Sequence, residues 1–149
     1  MRFGAGKGNP GVVLIITIGT GLGTALFSDG HLMPNTELGH VFLSNGVEAE
    51  RYASEAVRVT KDLKWKDWGE RLNLYLCTME NLLWPDLIVL GGGVMAQHEI
   101  FGPLLEKRLE QLVMPAMRAK TRLAFAALGN DAGMLGALCA LLEQEKEKN

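Results

Sequence analysis

Apolar residues along the chain form short continuous runs that alternate with longer periodic stretches. The runs at residues 12–18, 87–90 and 123–127 have the length of buried strands, and the first is rich in β-branched residues. Helices are predicted over residues 47–59, 99–113 and 132–145. A further helix before Pro85 is predicted because large apolar residues recur there at spacings of three and four: Trp65, Trp68, Leu72, Tyr75, Met79 and Leu82. Strands that alternate with helices predict an α/β domain.

A glycine-rich turn follows the first predicted strand. Gly19, Gly21 and Gly23 alternate with Thr20 and Leu22, and the residues after them predict two short strands, 24–27 and 31–33, around a tight turn. Backbone N–H groups can hold a phosphate only where no Cβ blocks its approach, and Thr20 adds a hydroxyl donor. The pattern indicates a phosphate-binding hairpin, with a turn that binds no ligand as the alternative.

Three other stretches resemble functional motifs less well. A dinucleotide-binding turn needs Gly-x-Gly-x-x-Gly at the start of a helix, whereas here the third glycine comes one residue early and a hairpin follows. Residues 4–8 lack the Ser or Thr that a P-loop places after its lysine, and they precede a strand, so an exposed connector is expected. Asn130 and Asp131 begin the last predicted helix, where an N-terminal cap is expected and no catalysis.

Composition limits the class of protein. The 149 residues are 48% hydrophobic and 21% charged with a net charge of -2, which is typical of one globular domain and not of a nucleic-acid binder with a basic face. No apolar stretch reaches the roughly 20 residues of a membrane span, and the start has no signal-peptide core. A cytoplasmic protein is therefore expected. Cys77 and Cys139 lie far apart in helical patterns, which predicts buried thiols and no zinc site.

Two motifs in order carry a resemblance to a known family. Glu37, Gly39 and His40 form the pattern Glu-x-Gly-His just after the glycine hairpin, and this order resembles the ROK family of sugar kinases. Residues 17–27 and 84–94 resemble its polyphosphate glucokinase branch, and the likeness extends over essentially the whole chain. The resemblance implies that residues 1–149 form the C-terminal domain of the actin, Hsp70 and hexokinase-like (ribonuclease H-like) fold, a mixed sheet with flanking helices.

The same resemblance implies roles for individual residues. The sugar-binding set would be Glu37, His40 and Glu50. The phosphoryl-donor side would consist of a phosphate turn and a nucleotide or polyphosphate turn: Gly19, Thr20, Gly21, Gly23, Gly91, Gly92 and Gly93. Mg²⁺ would accompany the donor. The zinc-binding cysteine loop that follows His40 in most of the family is shortened here and lacks its cysteines, so no structural zinc is expected.

The activity that the resemblance implies is transfer of a phosphoryl group from polyphosphate or ATP to O6 of glucose, in a homodimer. The family's catalytic base and first phosphate loop have no counterpart in these residues, so no catalytic residue is assigned. The chain, without that N-terminal domain, is expected to be inactive alone. Two alternatives stay open, an ATP-dependent ROK hexokinase for another hexose or an N-acetyl sugar, and a non-catalytic sugar-binding ROK module.

Overall fold

The computed structural model describes residues 6–112 and 120–126. The strands are β1 (Val12–Ile18), β2 (Leu22–Ser28), β3 (His31–Leu32), β4 (Leu87–Gly91) and β5 (Arg122–Phe125). The α-helices are α1 (Ala49–Ala53), α2 (Glu55–Thr60), α3 (Trp65–Leu83) and α4 (His98–Leu112), and 3₁₀ turns cover Leu38–His40 and Gly93–Gln97. The helix predicted over residues 132–145, with Cys139 and the pair Asn130 and Asp131, lies outside the described residues.

The strands form one mixed sheet in the order β3-β2-β1-β4-β5. β1 pairs antiparallel with β2, which pairs antiparallel with β3. On its other side β1 pairs parallel with β4, and β4 pairs parallel with β5. The interior strands β1 and β4 bury residues on both faces, which explains why their sequences are continuous apolar runs rather than alternating ones. The predicted α/β fold with a mixed sheet is confirmed.

Helix α3 packs against one face of the sheet and shares the main core with residues of β1 and β4. Trp68, Leu72, Tyr75 and Met79 are fully buried, as their spacing predicts, and Cys77 is buried beside them. Phe101 of α4 packs edge-on against Trp68, with ring centroids 5.1 Å apart. One part of the prediction is wrong, because Leu82 is 62% exposed. Helix α3 ends one residue later, and Trp84 takes a left-handed conformation before Pro85.

The single helix predicted over residues 47–59 is also wrong, since two short helices meet at an extended Ser54 (ψ 159°). The break is held by partners that are distant in sequence. The carbonyl of Gly19 accepts the N–H of Glu55 at 3.0 Å, and the Trp68 indole donates to the Ala53 and Ser54 carbonyls. The break therefore docks the start of α2 on the glycine turn.

Two strands have limits that differ from the predicted ones. β2 begins at Leu22, inside the predicted turn, and β5 ends at Phe125 rather than at residue 127. Across residues 6–112 and 120–126, no helix is both long and apolar enough to cross a membrane.

Candidate functional site

An open cleft of about 460 Å³ lies at the carboxyl end of β1. β1 and β4 are adjacent and parallel, so the segments that follow them leave the sheet at the same edge, where ligands bind in many α/β folds. The cleft brings together most of the predicted site residues: Gly19, Thr20, Gly21, Gly23, Glu37, Glu50, Gly92 and Gly93. His40 and Gly91 do not line it. Gly91 is buried as the last residue of β4, beside Thr17.

Some of the cleft glycines have neighbours close to where a Cβ would lie. A Cβ on Gly21 would lie 2.3 Å from Glu50 Oε2, and one on Gly23 would lie 2.5 Å from the Thr17 hydroxyl. Gly92 has a φ of +100°, and a Cβ there would lie 2.1 Å from the Ile18 carbonyl oxygen. At Gly92 the fold itself requires glycine, because the blocking atoms belong to the main chain and the φ is left-handed; at Gly21 the blocking group is the end of the Glu50 side chain, which can move.

Gly19 and Gly93 differ from them. No heavy atom lies within 4 Å of a Cβ added at either position, and neither residue has a φ in the left-handed range. The fold therefore does not require glycine at these two positions. Because both line the cleft and have open space beside the backbone, they are where a ligand can approach the main chain most closely.

Backbone hydrogen bonds identify the free donors of the glycine turn. The Gly19 N–H donates to the Gly21 carbonyl at 3.0 Å, and the Leu22 N–H donates to Glu50 Oε2 at 3.0 Å. The N–H groups of Thr20 and Gly21 have no acceptor within the described part of the chain. Two consecutive unpaired N–H groups beside an open backbone can bind an anion by donating hydrogen bonds to it.

The segment that carries Glu37 is fixed to two elements. The Leu38 N–H donates to the Thr24 hydroxyl of β2 at 3.3 Å, and the Tyr75 hydroxyl of α3 donates to the Leu38 carbonyl at 3.3 Å. Burial, and then the Glu37 charge, raise the pKa of Tyr75, whose hydroxyl is in any case a donor at neutral pH. Thr24 and Tyr75 were missed in the sequence analysis, since Tyr75 matches a core position of α3 and Thr24 a strand position.

Glu50 lies in the first turn of α1 and reaches the glycine turn. One of its oxygens, Oε2, accepts the Leu22 N–H, and the missing Cβ of Gly21 makes room for the carboxylate. Oε1 has no hydrogen-bond partner within residues 6–112 and 120–126 and remains available to a ligand. Glu50, a predicted sugar-binding residue, is thus in the cleft, where it also braces the glycine turn.

His40 lies beside the cleft and is paired with a residue that sequence reasoning missed. Its Nδ1 hydrogen-bonds to Glu48 Oε1, and Glu48 Oε2 bonds to Arg51 Nε at 2.9 Å. The Glu48 hydrogen bond is the main cause of a raised pKa at His40, and the charges of Glu48, Glu50 and Glu37 add to it. The same bond lowers the pKa of Glu48. No signal in the sequence indicated this pair, because Glu48 lies within the helix predicted over residues 47–59.

No group of three His, Cys, Asp or Glu side chains within residues 6–112 and 120–126 is arranged to hold a metal ion. Two carboxylates that a cation could contact, those of Glu37 and Glu50, line the cleft. Mg²⁺ in kinases typically takes one or two carboxylates together with substrate phosphates and water. These two residues fit that donor set only in company with a bound phosphate.

Comparison with known proteins gives the family. Residues 47–145 match the family model described as the ROK family. The chain belongs to the ROK family. Over 139 residues, this ROK chain is 41% identical to a polyphosphate glucokinase of Mycobacterium tuberculosis, and it is 37% identical to one of Mycobacterium leprae. The alignments cover 93% of this chain, but 48% and 39% of those proteins, so the chain spans about half or less of these relatives.

Solved structures agree with this assignment. A polyphosphate/ATP-glucomannokinase from Arthrobacter superposes on the ROK chain with a TM-score of 0.79 at 36% identity, covering 96% of this chain and 51% of that one. A ROK glucokinase from Streptomyces griseus, solved with glucose and AMPPNP, gives a TM-score of 0.74 at 23% identity, covering 91% and 62%, and supports the fold alone. The predicted sugar-kinase fold and family are confirmed, while the roles of single residues stay predictions.

Proposed function

We propose that this ROK domain binds a hexose and a phosphoryl donor side by side, as part of a glucokinase that uses polyphosphate or ATP. The observation that carries the proposal is the single cleft that joins Glu37 and Glu50 to the glycine turn and to Gly93. Its volume lies within the range of pockets for small ligands. Similarity to polyphosphate glucokinases of two mycobacteria supports the choice of sugar and donor.

The sugar side of the cleft consists of two carboxylates. Ionised carboxylates accept hydrogen bonds from hydroxyl groups and cannot donate them, so they suit a polyol substrate. Glu37 is exposed to the cleft on a segment fixed by Thr24 and Tyr75, and Glu50 offers Oε1. Fixed acceptors hold a sugar in one orientation, which is most of what catalysis of phosphoryl transfer requires from the acceptor side.

The donor side consists of backbone groups. The unpaired N–H groups of Thr20 and Gly21 would bind phosphoryl oxygens, and the open backbones of Gly19 and Gly93 would let the anion approach. The carboxylates of Glu37 and Glu50 oppose a polyanion that enters the same cleft. A Mg²⁺ ion bound with the donor would offset that repulsion and neutralise charge on the transferred group.

The test separates recognition from chemistry. The purified chain is titrated with glucose by calorimetry and is also incubated with glucose, Mg²⁺ and either polyphosphate or ATP. We expect glucose binding without glucose 6-phosphate formation, because no residue of the cleft is assigned as the base. Glu37→Gln is expected to weaken glucose binding about tenfold or more, since a hydrogen bond to a charged acceptor is worth about 1.5–3 kcal/mol.

The matched control is Glu106→Gln, an exposed glutamate of α4 outside the cleft. Equal glucose affinity in the Glu37 variant and the wild type would remove Glu37 from the sugar site. Rapid glucose 6-phosphate production by the chain would contradict the expected inactivity.

A broader hexokinase is the second candidate. The Arthrobacter relative is named as a polyphosphate/ATP-glucomannokinase, which favours a wider choice of donor and of hexose. Competition of mannose and N-acetylglucosamine against glucose in the binding assay distinguishes the two. Tighter binding of either competitor than of glucose would replace glucose as the proposed substrate.

A further inference from the structure

Glu48 lies outside the predicted site but touches one of its members. Its Oε1 bonds to His40 Nδ1 and its Oε2 bonds to Arg51 Nε. We propose that Glu48 is a positioning residue, which fixes the ring orientation and tautomer of His40 so that Nε2 is the atom that meets a sugar hydroxyl. The sugar contact rests on the proposed function; the positioning of His40 does not.

The hydrogen-bond chemistry of the pair determines the tautomer. An ionised carboxylate can only accept, so the Nδ1 that it contacts must carry the proton. In the neutral imidazole, Nε2 is then an acceptor, and it can accept a hydrogen bond from a hydroxyl group. Without Glu48, the ring would be free to place its proton on either nitrogen.

The backbone around Glu48 shows why it is the fixed partner. Residues 41–49 form a tight hairpin, in which Phe42 bridges Glu48 and the Leu43 N–H donates to the Val47 carbonyl at 2.9 Å. The Ala49 N–H donates to the Val41 carbonyl at 2.9 Å, and the Ala49 side chain is fully buried. This hairpin returns the chain to His40 and anchors Glu48 at its end.

The exposure of the three side chains agrees with this arrangement. The side chain of Glu48 is 17% exposed, against 52% for His40 and 81% for Arg51. Arg51 therefore closes the outer side of Glu48 without burying the pair. The least exposed member of the cluster is the one whose two oxygens are both bonded.

The charges that face His40 link the pair to the cleft. Glu48 contacts the ring directly, Arg51 lies behind Glu48, and Glu37 and Glu50 act on the ring through their charges. Glu37 and Glu50 line the cleft, so His40 lies within electrostatic reach of both proposed sugar ligands. A ring at this position, held at Nδ1, would supply a third hydroxyl-binding group beside the cleft.

The experiment observes the imidazole directly. Nitrogen-15 NMR of the full chain, over a range of pH, reports which nitrogen of His40 is protonated, with His31 and His98 as internal references. Glu48→Gln keeps an acceptor and removes the charge, Glu48→Met removes both, and Glu106→Gln is the control. Circular dichroism verifies that each variant is folded.

We expect the wild-type ring to carry its proton on Nδ1 when neutral and to titrate above the ordinary histidine value of about 6.5. Glu48→Gln should lower the pKa of His40 and keep the tautomer, and Glu48→Met should lower the pKa and mix the tautomers. A wild-type ring protonated on Nε2, or a ring that Glu48→Met leaves unchanged, overturns the positioning role whether or not glucose binds.

Addition of glucose then tests the sugar contact separately. The Nε2 resonance should shift in the wild type, and Glu48→Met should raise the glucose dissociation constant about two- to tenfold, the range of one hydrogen bond. A correct tautomer with no response to glucose, in a chain that binds glucose, supports the positioning and overturns the contact. A chain that binds no glucose refutes the proposed function instead, while the tautomer still decides the role of Glu48.

Discussion

Replacing Gly92 with alanine places a methyl group where the backbone of β1 already lies. Gly92 has φ +100° and ψ 170°, a combination that is almost restricted to glycine. The added Cβ would lie 2.1 Å from the Ile18 carbonyl oxygen and 2.8 Å from the Ile18 nitrogen. Because both atoms belong to the main chain, no side-chain rotation can relieve the contact. Either β1 or the turn after β4 has to move.

The expected loss of stability follows from these two effects. A residue forced into such a conformation costs about 1–3 kcal/mol, and displacement of a paired backbone adds to it. We expect the free energy of unfolding to fall by about 3 kcal/mol or more. For a chain of this size, each kcal/mol lowers the melting temperature by about 2–4 °C, so the variant should melt roughly 6–12 °C lower.

Thermal and urea unfolding, followed by circular dichroism, measure the effect. Gly93→Ala is the matched control, because the next residue lines the same cleft, has no heavy atom within 4 Å of an added Cβ and has no left-handed φ. It should change the free energy of unfolding by less than about 0.5 kcal/mol. Equal melting temperatures for the two variants would refute the argument that the fold requires glycine at one position and not at the other.

Two further predictions concern polar groups buried on α3. Asn73 is fully buried, and its amide has no partner within residues 6–112 and 120–126. Asn73→Leu should therefore raise the free energy of unfolding by about 1–3 kcal/mol. The control is Asn81→Leu, at an exposed position of the same helix, which should not raise it. A loss of stability in the Asn73 variant would contradict the prediction. Burial raises the pKa of Glu80, with partial opposition from the Thr121 hydroxyl, so its contribution to stability is complete below about pH 4 and is lost as the pH rises through the raised value. The free energy of unfolding of Glu80→Gln, measured in urea, should therefore rise relative to that of the wild type between pH 4 and pH 7. A difference between the two that does not change with pH would count against this role of Glu80.

Local patterns predicted the elements that local physics determines. The apolar run of β1 and the periodic face of α3 appear with nearly the expected limits. The spacing of apolar residues within each segment is enough to indicate a strand or a helix. The break at Ser54 could not be predicted in this way. It depends on the Gly19 carbonyl and the Trp68 indole, which reach the segment only after the sheet and α3 are packed.

The candidate site divides in a similar manner. The motifs predicted that Glu37, Glu50 and the glycine turn act together, and the structure places them around one cleft. The sequence could not separate a glycine that the fold requires, such as Gly92, from one that it does not, such as Gly19, because the difference lies in the backbone angle and in the neighbours of a missing Cβ. For the same reason the partners Glu48 and Tyr75 were found only in three dimensions.

The backbone of one residue joins the two sides of the cleft. The Leu22 N–H donates to Glu50, a proposed sugar ligand, and the Leu22 carbonyl oxygen lies so close to Gly39 that a Cβ there would be 2.1 Å away. Gly39 lies between Glu37 and His40 in the sequence. Leu22 directly follows Thr20 and Gly21, whose N–H groups are the proposed hydrogen-bond donors to phosphate. Leu22 is itself buried, so this contact is enclosed by the core. The glycine turn and the segment of Glu37 and His40 are therefore held together, which in the proposed function would keep a bound hydroxyl and a bound phosphoryl group in register.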